Sequence, residues 1–278
     1  MDIAVLVLTA GSQRIVLDPQ RGGRAVSWQV DGHELLHVHG THPAEHGMYA
    51  MAPWAGRLRG NAVVTDRGSV SLPVTYDSWA MHGTVLDRPA RVESRIDQGD
   101  RAEVVLVSDR HPEWPWPMEV RMRWILEPDH LTTTIAVASL EGSFPVTVGW
   151  HPWFRRHVSN VEARVTMNAR EMLVCDDEGL PGGVLAAIPD GPFDDAFLVP
   201  SGRARIDWPG LVALDIESDA PWFVLYDERE SCLCLEPQSG PPDGLVAHPW
   251  HDVARAEPGS PVTLSVTWQV RGLRVGRG

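Results

Sequence analysis

The sequence predicts an all-β fold, a large sandwich of antiparallel sheets, and three observations carry that prediction. Gly, Pro, Asn or Asp interrupt the chain at short intervals, and the segments between them are brief and rich in Val, Ile, Thr and Trp. Apolar positions rarely recur with helical spacing. Near the end, Val262, Leu264, Val266, Trp268 and Val270 alternate with Thr, Ser and Gln, the period-two pattern of a strand with one buried face.

Taken in order, residues 3–8 (Ile-Ala-Val-Leu-Val-Leu) form a first strand. The run is too short to span a membrane, and Asp2 stands where a signal peptide needs positive charge, which predicts a cytoplasmic protein. Residues 25–30 and 33–36 flank Asp31-Gly32, the dipeptide of a tight hairpin turn. Residues 91–96 and 102–107 flank Gln98-Gly99-Asp100, and residues 119–126 and 131–138 flank Glu127-Pro128-Asp129 in the same way. No repeat, charge block or linker-like tract interrupts the pattern, so we expect one domain over residues 1–270 and a loosely held tail over 271–278.

Composition removes several functions. The chain has 278 residues and a formal net charge of -13; its 24 basic residues are all Arg. Without lysine there is no Schiff-base nucleophile, no pyridoxal-phosphate anchor and no P-loop cation. The acidic balance, with no Arg-rich face, argues against nucleic acid as a partner. Only Cys175, Cys232 and Cys234 occur, an odd number without zinc or thioredoxin spacing, as in a reducing compartment.

Acid–base chemistry needs polar groups that apolar neighbours desolvate, because burial moves pKa values toward working pH. Four segments qualify: Met81-His82-Gly83-Thr84; residues 148–154, where His151 sits among Trp150, Trp153 and Phe154; residues 192–197, with Asp194-Asp195; and residues 232–238, Cys-Leu-Cys-Leu-Glu-Pro-Gln. Alternation puts Cys232, Cys234 and Glu236 on one strand face and Leu233 and Leu235 on the other. Pro237 keeps Glu236 extended and is expected to end the ladder, presenting the carboxylate at a sheet rim as a base with a raised pKa. Each residue also has an ordinary structural role open to it: a strand-end Glu in water, a core His bonded to a carbonyl, an Asp pair capping a turn, or Arg57 as a surface cation.

In sequence order these segments resemble the aldose 1-epimerases, or mutarotases, of the galactose-mutarotase-like superfamily. The resemblance rests on Pro53-Trp54-Ala55-Gly56-Arg57, Met81-His82-Gly83, Gly149-Trp150-His151-Pro152-Trp153-Phe154, Asp194-Asp195-Ala196-Phe197 and Leu235-Glu236-Pro237-Gln238, and runs from about Leu17 to Val270. It implies a β-supersandwich that interconverts the α and β anomers of a free aldose without a cofactor or metal. Glu236 would take the anomeric hydroxyl proton while His151 protonates the ring oxygen, the two acting from opposite sides of the hemiacetal. Arg57, His82 and Asp194 would bind substrate, with Asp194 preferred to Asp195 because adjacent strand residues face opposite ways. Among the 12 tryptophans, Trp54, Trp150 or Trp153 would offer an apolar platform to a pyranose face, with Trp150 placed among the substrate-binding residues.

The chain departs from the best-known members at Gly56 and Trp150, where many carry Asn, and both departures bear on the identity of the sugar. One alternative is a hexose-6-phosphate mutarotase using Arg57, Arg59 and Arg88 for the phosphate. Another is a sugar-binding or sensing module without turnover. A metal-dependent isomerase built on His33, His37, His39, His42 and His46 has no accompanying carboxylate motif, so no metal centre is expected there. The expected partner is a small sugar, without nucleic acid or membrane, bound by a monomer or homodimer.

Overall fold

Alternation along the strands sorts the side chains into a shared core and a separate outer face. The computed structural model describes residues 5–248 and 251–272. Among these, an 11-stranded sheet runs in the order Leu6–Ala10, Gln13–Asp18, Arg24–Val30, Met48–Met51, Gly149–Arg155, Cys232–Gln238, Trp222–Tyr226, Asp194–Leu198, Glu171–Cys175 and Pro181–Ala186, with His33–Glu34 paired to Arg24–Val30. An eight-stranded sheet follows the order Arg164–Met167, Arg203–Trp208, Val212–Ser218, Val262–Gly272, His130–Ser139, Met118–Glu127, Ala102–Ser108 and Arg91–Asp97. Helical structure among the described residues is limited to short 3-10 turns at Pro43–Glu45 and Arg59–Asn61. No helix there is long and apolar enough to cross a membrane.

The hairpins form where turn chemistry places them. Asp31 and Gly32 both take positive φ, 49° and 79°, and bring Val30 opposite His33. Val104 faces Trp124 and Thr133 faces Val266 in the eight-stranded sheet, whose apolar positions point inward. One hydrophobic cluster runs between the sheets and contains Trp28, Trp124, Trp150, Trp208 and Trp268 with Phe154, Leu233 and Leu235. Burying side chains of this size is the main favourable contribution to folding, about 1.5–3 kcal/mol for each large apolar group.

Two sequence expectations are corrected at the termini. The first strand is Leu6–Ala10, displaced from residues 3–8, and residues 1–4 lie outside the described set. The tail does not begin at Arg271: Arg271 and Gly272 complete the last strand, opposite Ala213 and Val212, and the Arg271 guanidinium reaches Asp215 at 3.0 Å. Polar strand ends without apolar alternation carry no sequence signal, so cross-strand pairing decides them. Residues 273–278 of the expected tail lie outside the described residues.

Cys232–Gln238 shows the division of faces most clearly. Leu233 and Leu235 enter the inter-sheet core, whereas Cys232 and Cys234 join a separate cluster with Tyr49, Met51 and Trp153 on the outer face. Glu236 and Gln238 follow on that same side by the two-residue period. The neighbouring strand divides likewise, with Trp150 and Phe154 inward and Trp153 outward. His151 therefore stands on the outer face beside Glu236.

Candidate active site

Register brings the central pair together. Gly149 pairs with Gln238 and Trp153 with Cys234, so His151 falls opposite Glu236 on adjacent strands. His151 Nε2 lies 3.1 Å from Glu236 Oε1, and both side chains are buried. The expectation that Glu236 ends a ladder at a rim is not met. Val224 pairs with Glu236, Phe223 with Pro237 and Trp222 with Gln238, so the strand continues past the proline. A proline removes one donor but leaves the rest of the ladder in place, and the burial comes from loops laid over the middle of the sheet face.

Those loops supply the remaining groups. Gly83, at φ 81°, closes against the Ala52 backbone so tightly that an added Cβ would lie 1.9 Å from the Ala52 carbonyl oxygen. No residue with a side chain fits there. Thr84 N–H donates to that oxygen at 2.7 Å and His82 N–H to Gly56 O at 3.1 Å, which fixes His82 beside the Arg57 loop. The His82 ring centroid stands 4.9 Å from that of His151 and nearly perpendicular to it. Arg57 Nη2 donates to Asp194 Oδ2 at 3.1 Å across the cavity.

The imidazole of His151 packs against two aromatic rings. Tyr49 stacks on it at 4.7 Å and Trp153 at 5.3 Å, while Tyr49 Oη–H and Trp153 Nε1–H both donate to Ala44 O. Behind Tyr49 lies buried Arg24, with its guanidinium 5.1 Å from the ring centroid. Gln238 Nε2 donates to Glu236 Oε2 at 3.0 Å and leaves Oε1 to His151. Arg229 stands over Trp153 and bonds to Glu45, which also accepts from Tyr76 Oη–H.

Burial sets the electrostatics. It pushes the Glu236 carboxyl well above the ordinary carboxylate range, with the Asp194 charge adding to the effect. It pushes the His151 imidazolium well below its ordinary range, with His82 contributing in the same direction. Desolvation, and secondarily the Arg57 charge, lowers the His82 pKa to about 3, so at neutral pH His82 is an uncharged hydrogen-bonding group. Asp195 is raised by partial burial and then by Asp194.

The cavity above the pair encloses about 280 Å³, and Arg57, His82, His151, Asp194 and Glu236 all border it. That volume is near the lower end of small-molecule sites, about 300–1,000 Å³. Five of the six residues singled out in the sequence therefore converge. Trp150 does not: it points into the inter-sheet core and packs edge-on against Trp124 at 4.8 Å. Strand alternation is the reason, since a residue adjacent to an outward His151 must face inward. Asp195 also borders the cavity, although alternation was expected to admit only one of the pair; the Arg57 contact distinguishes Asp194.

Two of the three proposed cations and three of the five histidines are bonded to other groups. Arg59 bonds to Asp243 and Asp176, and Arg88 bonds to Glu113 and Thr84 O, away from the pair. His42 caps the 3-10 turn at Ala44 N, His46 contacts Arg24, and His33 meets Ser159. Sequence reasoning missed Tyr49, Tyr76 and Arg229, which carry no motif and arrive through register or loop packing. Gln238 was not singled out either, although it continues the alternation that places Glu236 on the outer face.

Comparison with known proteins gives the family and the fold. The family model described as aldose 1-epimerase matches residues 5–266. A search of curated proteins returns no match. Similar solved structures include a candidate aldose 1-epimerase of Escherichia coli K12, at 23% identity and TM-score 0.80, covering 97% of this chain and 99% of that one. A galactose mutarotase-like protein of Clostridium acetobutylicum has 16% identity and TM-score 0.83, over 97% and 95%. A GalM/aldose epimerase homologue from C. elegans has 12% identity and TM-score 0.77, over 98% and 99%. At these identities the structures establish the galactose mutarotase-like β-sandwich fold.

Proposed function

Because the chain belongs to the aldose 1-epimerase family, we propose that it interconverts the α and β anomers of a free aldohexose by opening and reclosing the ring. The family and fold support a mutarotase-type role, and the observation that carries the reaction is the 3.1 Å contact between His151 Nε2 and Glu236 Oε1 at the cavity floor. The two groups are in direct contact. This arrangement suits a hemiacetal, whose hydroxyl and ring oxygens share one carbon, so groups in contact reach both.

In the proposed step ionised Glu236 removes the proton from the anomeric hydroxyl while protonated His151 donates to the ring oxygen. The bond between C1 and the ring oxygen breaks, the C1–OH oxygen becomes the aldehyde oxygen, and Glu236 ends protonated with His151 neutral. Rotation about C1–C2 presents the other carbonyl face. Reclosure runs the transfers backward and returns both groups to their starting forms. Burial favours the neutral pair, so the ionised pair that starts the step forms by transfer of the Glu236 proton to His151 across their 3.1 Å contact, and once formed it is a strong base beside a strong acid.

Arg57 and Asp194, held by their mutual bond, would meet sugar hydroxyls, and uncharged His82 would bond beside the ring oxygen. A neutral sugar fits better than a sugar phosphate. Arg57 and Arg229 border the cavity but already bond to Asp194 and Glu45, while Asp77, Asp195 and Glu228 line it as well. Arg59 and Arg88 are engaged elsewhere. Polarimetry of freshly dissolved α-D-glucose, α-D-galactose and glucose 6-phosphate tests the reading. Acceleration of a free sugar supports it, acceleration of the phosphate alone overturns the substrate assignment, and sugar binding without acceleration identifies a binding module.

A further inference from the structure

His151 and Glu236 have a third neighbour that the proposed mechanism does not use. Cys234 precedes Glu236 by one strand period and pairs in register with Trp153, so its thiol emerges on the same face. The donor atoms His151 Nε2 or Nδ1, Cys234 Sγ and a Glu236 carboxylate oxygen lie within 4.8 Å of one another, and all three residues are buried. Imidazole, thiolate and carboxylate are the three donor types that zinc accepts.

The donor separations approach those of tetrahedral ligation. Zinc bonds of about 2.3 Å to sulfur and about 2.0–2.1 Å to nitrogen and oxygen place donors about 3.3–3.6 Å apart. The Nε2 to Oε1 separation of 3.1 Å is already near that spacing, and the thiol, within 4.8 Å of both, has to close by no more than about 1.2 Å. Gln238 holds Oε2 by a hydrogen bond and leaves Oε1 available, as outer-shell groups do, and Tyr49 and Trp153 both stack on the imidazole with interplanar angles of 21° and 25°. A fourth position would open toward the cavity, which His151 and Glu236 border.

We propose that His151, Cys234 and Glu236 form a binding site for a thiophilic divalent cation of the zinc class, and that the bound cation arrests turnover by occupying the acid and the base together. Binding releases the thiol and carboxyl protons to solvent and leaves one dication against two anions and a neutral imidazole. A buried site of that composition is electroneutral. The inhibitory consequence rests on the function proposed above; the cation site does not.

Cobalt(II) provides the test, because a thiolate ligand gives it a near-ultraviolet charge-transfer band that nitrogen and oxygen ligands do not. Titration of the purified, reduced full chain with cobalt should produce the band at one equivalent. Cys234→Ser and Cys234→Ala should abolish it, with folding checked by far-ultraviolet circular dichroism, while Cys175→Ser and Cys232→Ser should retain it. No band in the parent chain, or an equal band in folded Cys234 variants, overturns the site. Zinc should inhibit sugar mutarotation, and Cys234→Ala should weaken that inhibition by about tenfold or more, since even outer-shell changes at metal sites act over about 10–100-fold. A cobalt band without zinc inhibition of an active enzyme retains the site and rejects its inhibitory role, whereas a band in a chain without mutarotase activity rejects the proposed function and leaves the site standing.

Discussion

Replacing Arg24 by Met should cost about 5 kcal/mol of folding stability, and the structure supplies the terms. The guanidinium is fully buried and donates to four backbone carbonyls: Nε to Arg21 at 3.1 Å, Nη1 to Pro43 at 2.5 Å and His46 at 3.2 Å, and Nη2 to Leu86 at 2.7 Å. Each buried acceptor left unpaired costs about 1–3 kcal/mol, or about 8 for the four. Against this, no carboxylate is in salt-bridge contact with Arg24 among the described residues, and burial holds its pKa down to about 10 from 12.5. Removing that charge returns about 3 kcal/mol. Urea titration followed by tryptophan fluorescence measures the difference, and Arg24→Lys, which keeps charge and up to three donors, should recover about half of it. A loss below about 1 kcal/mol for Arg24→Met would refute the reasoning, because it would mean that the carbonyls find other partners at no cost.

Trp150→Phe should lower stability by about 1–2 kcal/mol through lost volume against Trp124, while leaving kcat and KM unchanged; a raised KM would return Trp150 to the sugar site. Asp194→Asn should raise KM about tenfold with little change in kcat, because it weakens a charged contact that positions Arg57 and substrate alike; an unchanged KM for every accepted sugar would remove Asp194 from binding. Glu236→Gln should make stability less dependent on pH. The folded-state pKa of Glu236 lies above its ordinary value of 4.5, so its stabilising contribution is complete below 4.5 and is lost as pH rises toward the folded value. The variant's advantage over the parent in thermal unfolding should therefore grow from pH 4 to pH 8, and a constant gap would show that the carboxyl is not desolvated.

Sheet architecture was legible because its determinants are local. Asp31-Gly32 sets a hairpin through two positive φ angles, and the alternation from Val262 to Val270 declares a half-buried strand. The same alternation separates Cys232, Cys234 and Glu236 from Leu233 and Leu235. Applied to Trp150 and His151 it would also have sent the tryptophan inward, but aromatic composition and resemblance outweighed it. Tyr49 and Arg229 were not legible. Tyr49 reaches His151 only through the pairing of Met48–Met51 with Gly149–Arg155, and Arg229 reaches Trp153 from a loop after Trp222–Tyr226. The adjacency of acid and base likewise depends on a register that no single segment encodes.

The most direct test of the account compares mutarotation rates of the parent chain and Glu236→Gln on the free sugar that the parent accelerates, with binding of that sugar measured beside them by calorimetry. The account predicts retained binding and a loss of about 10²–10⁴ in kcat, the usual contribution of a positioned general base. A Glu236→Gln variant that turns over at the parent's rate would contradict it.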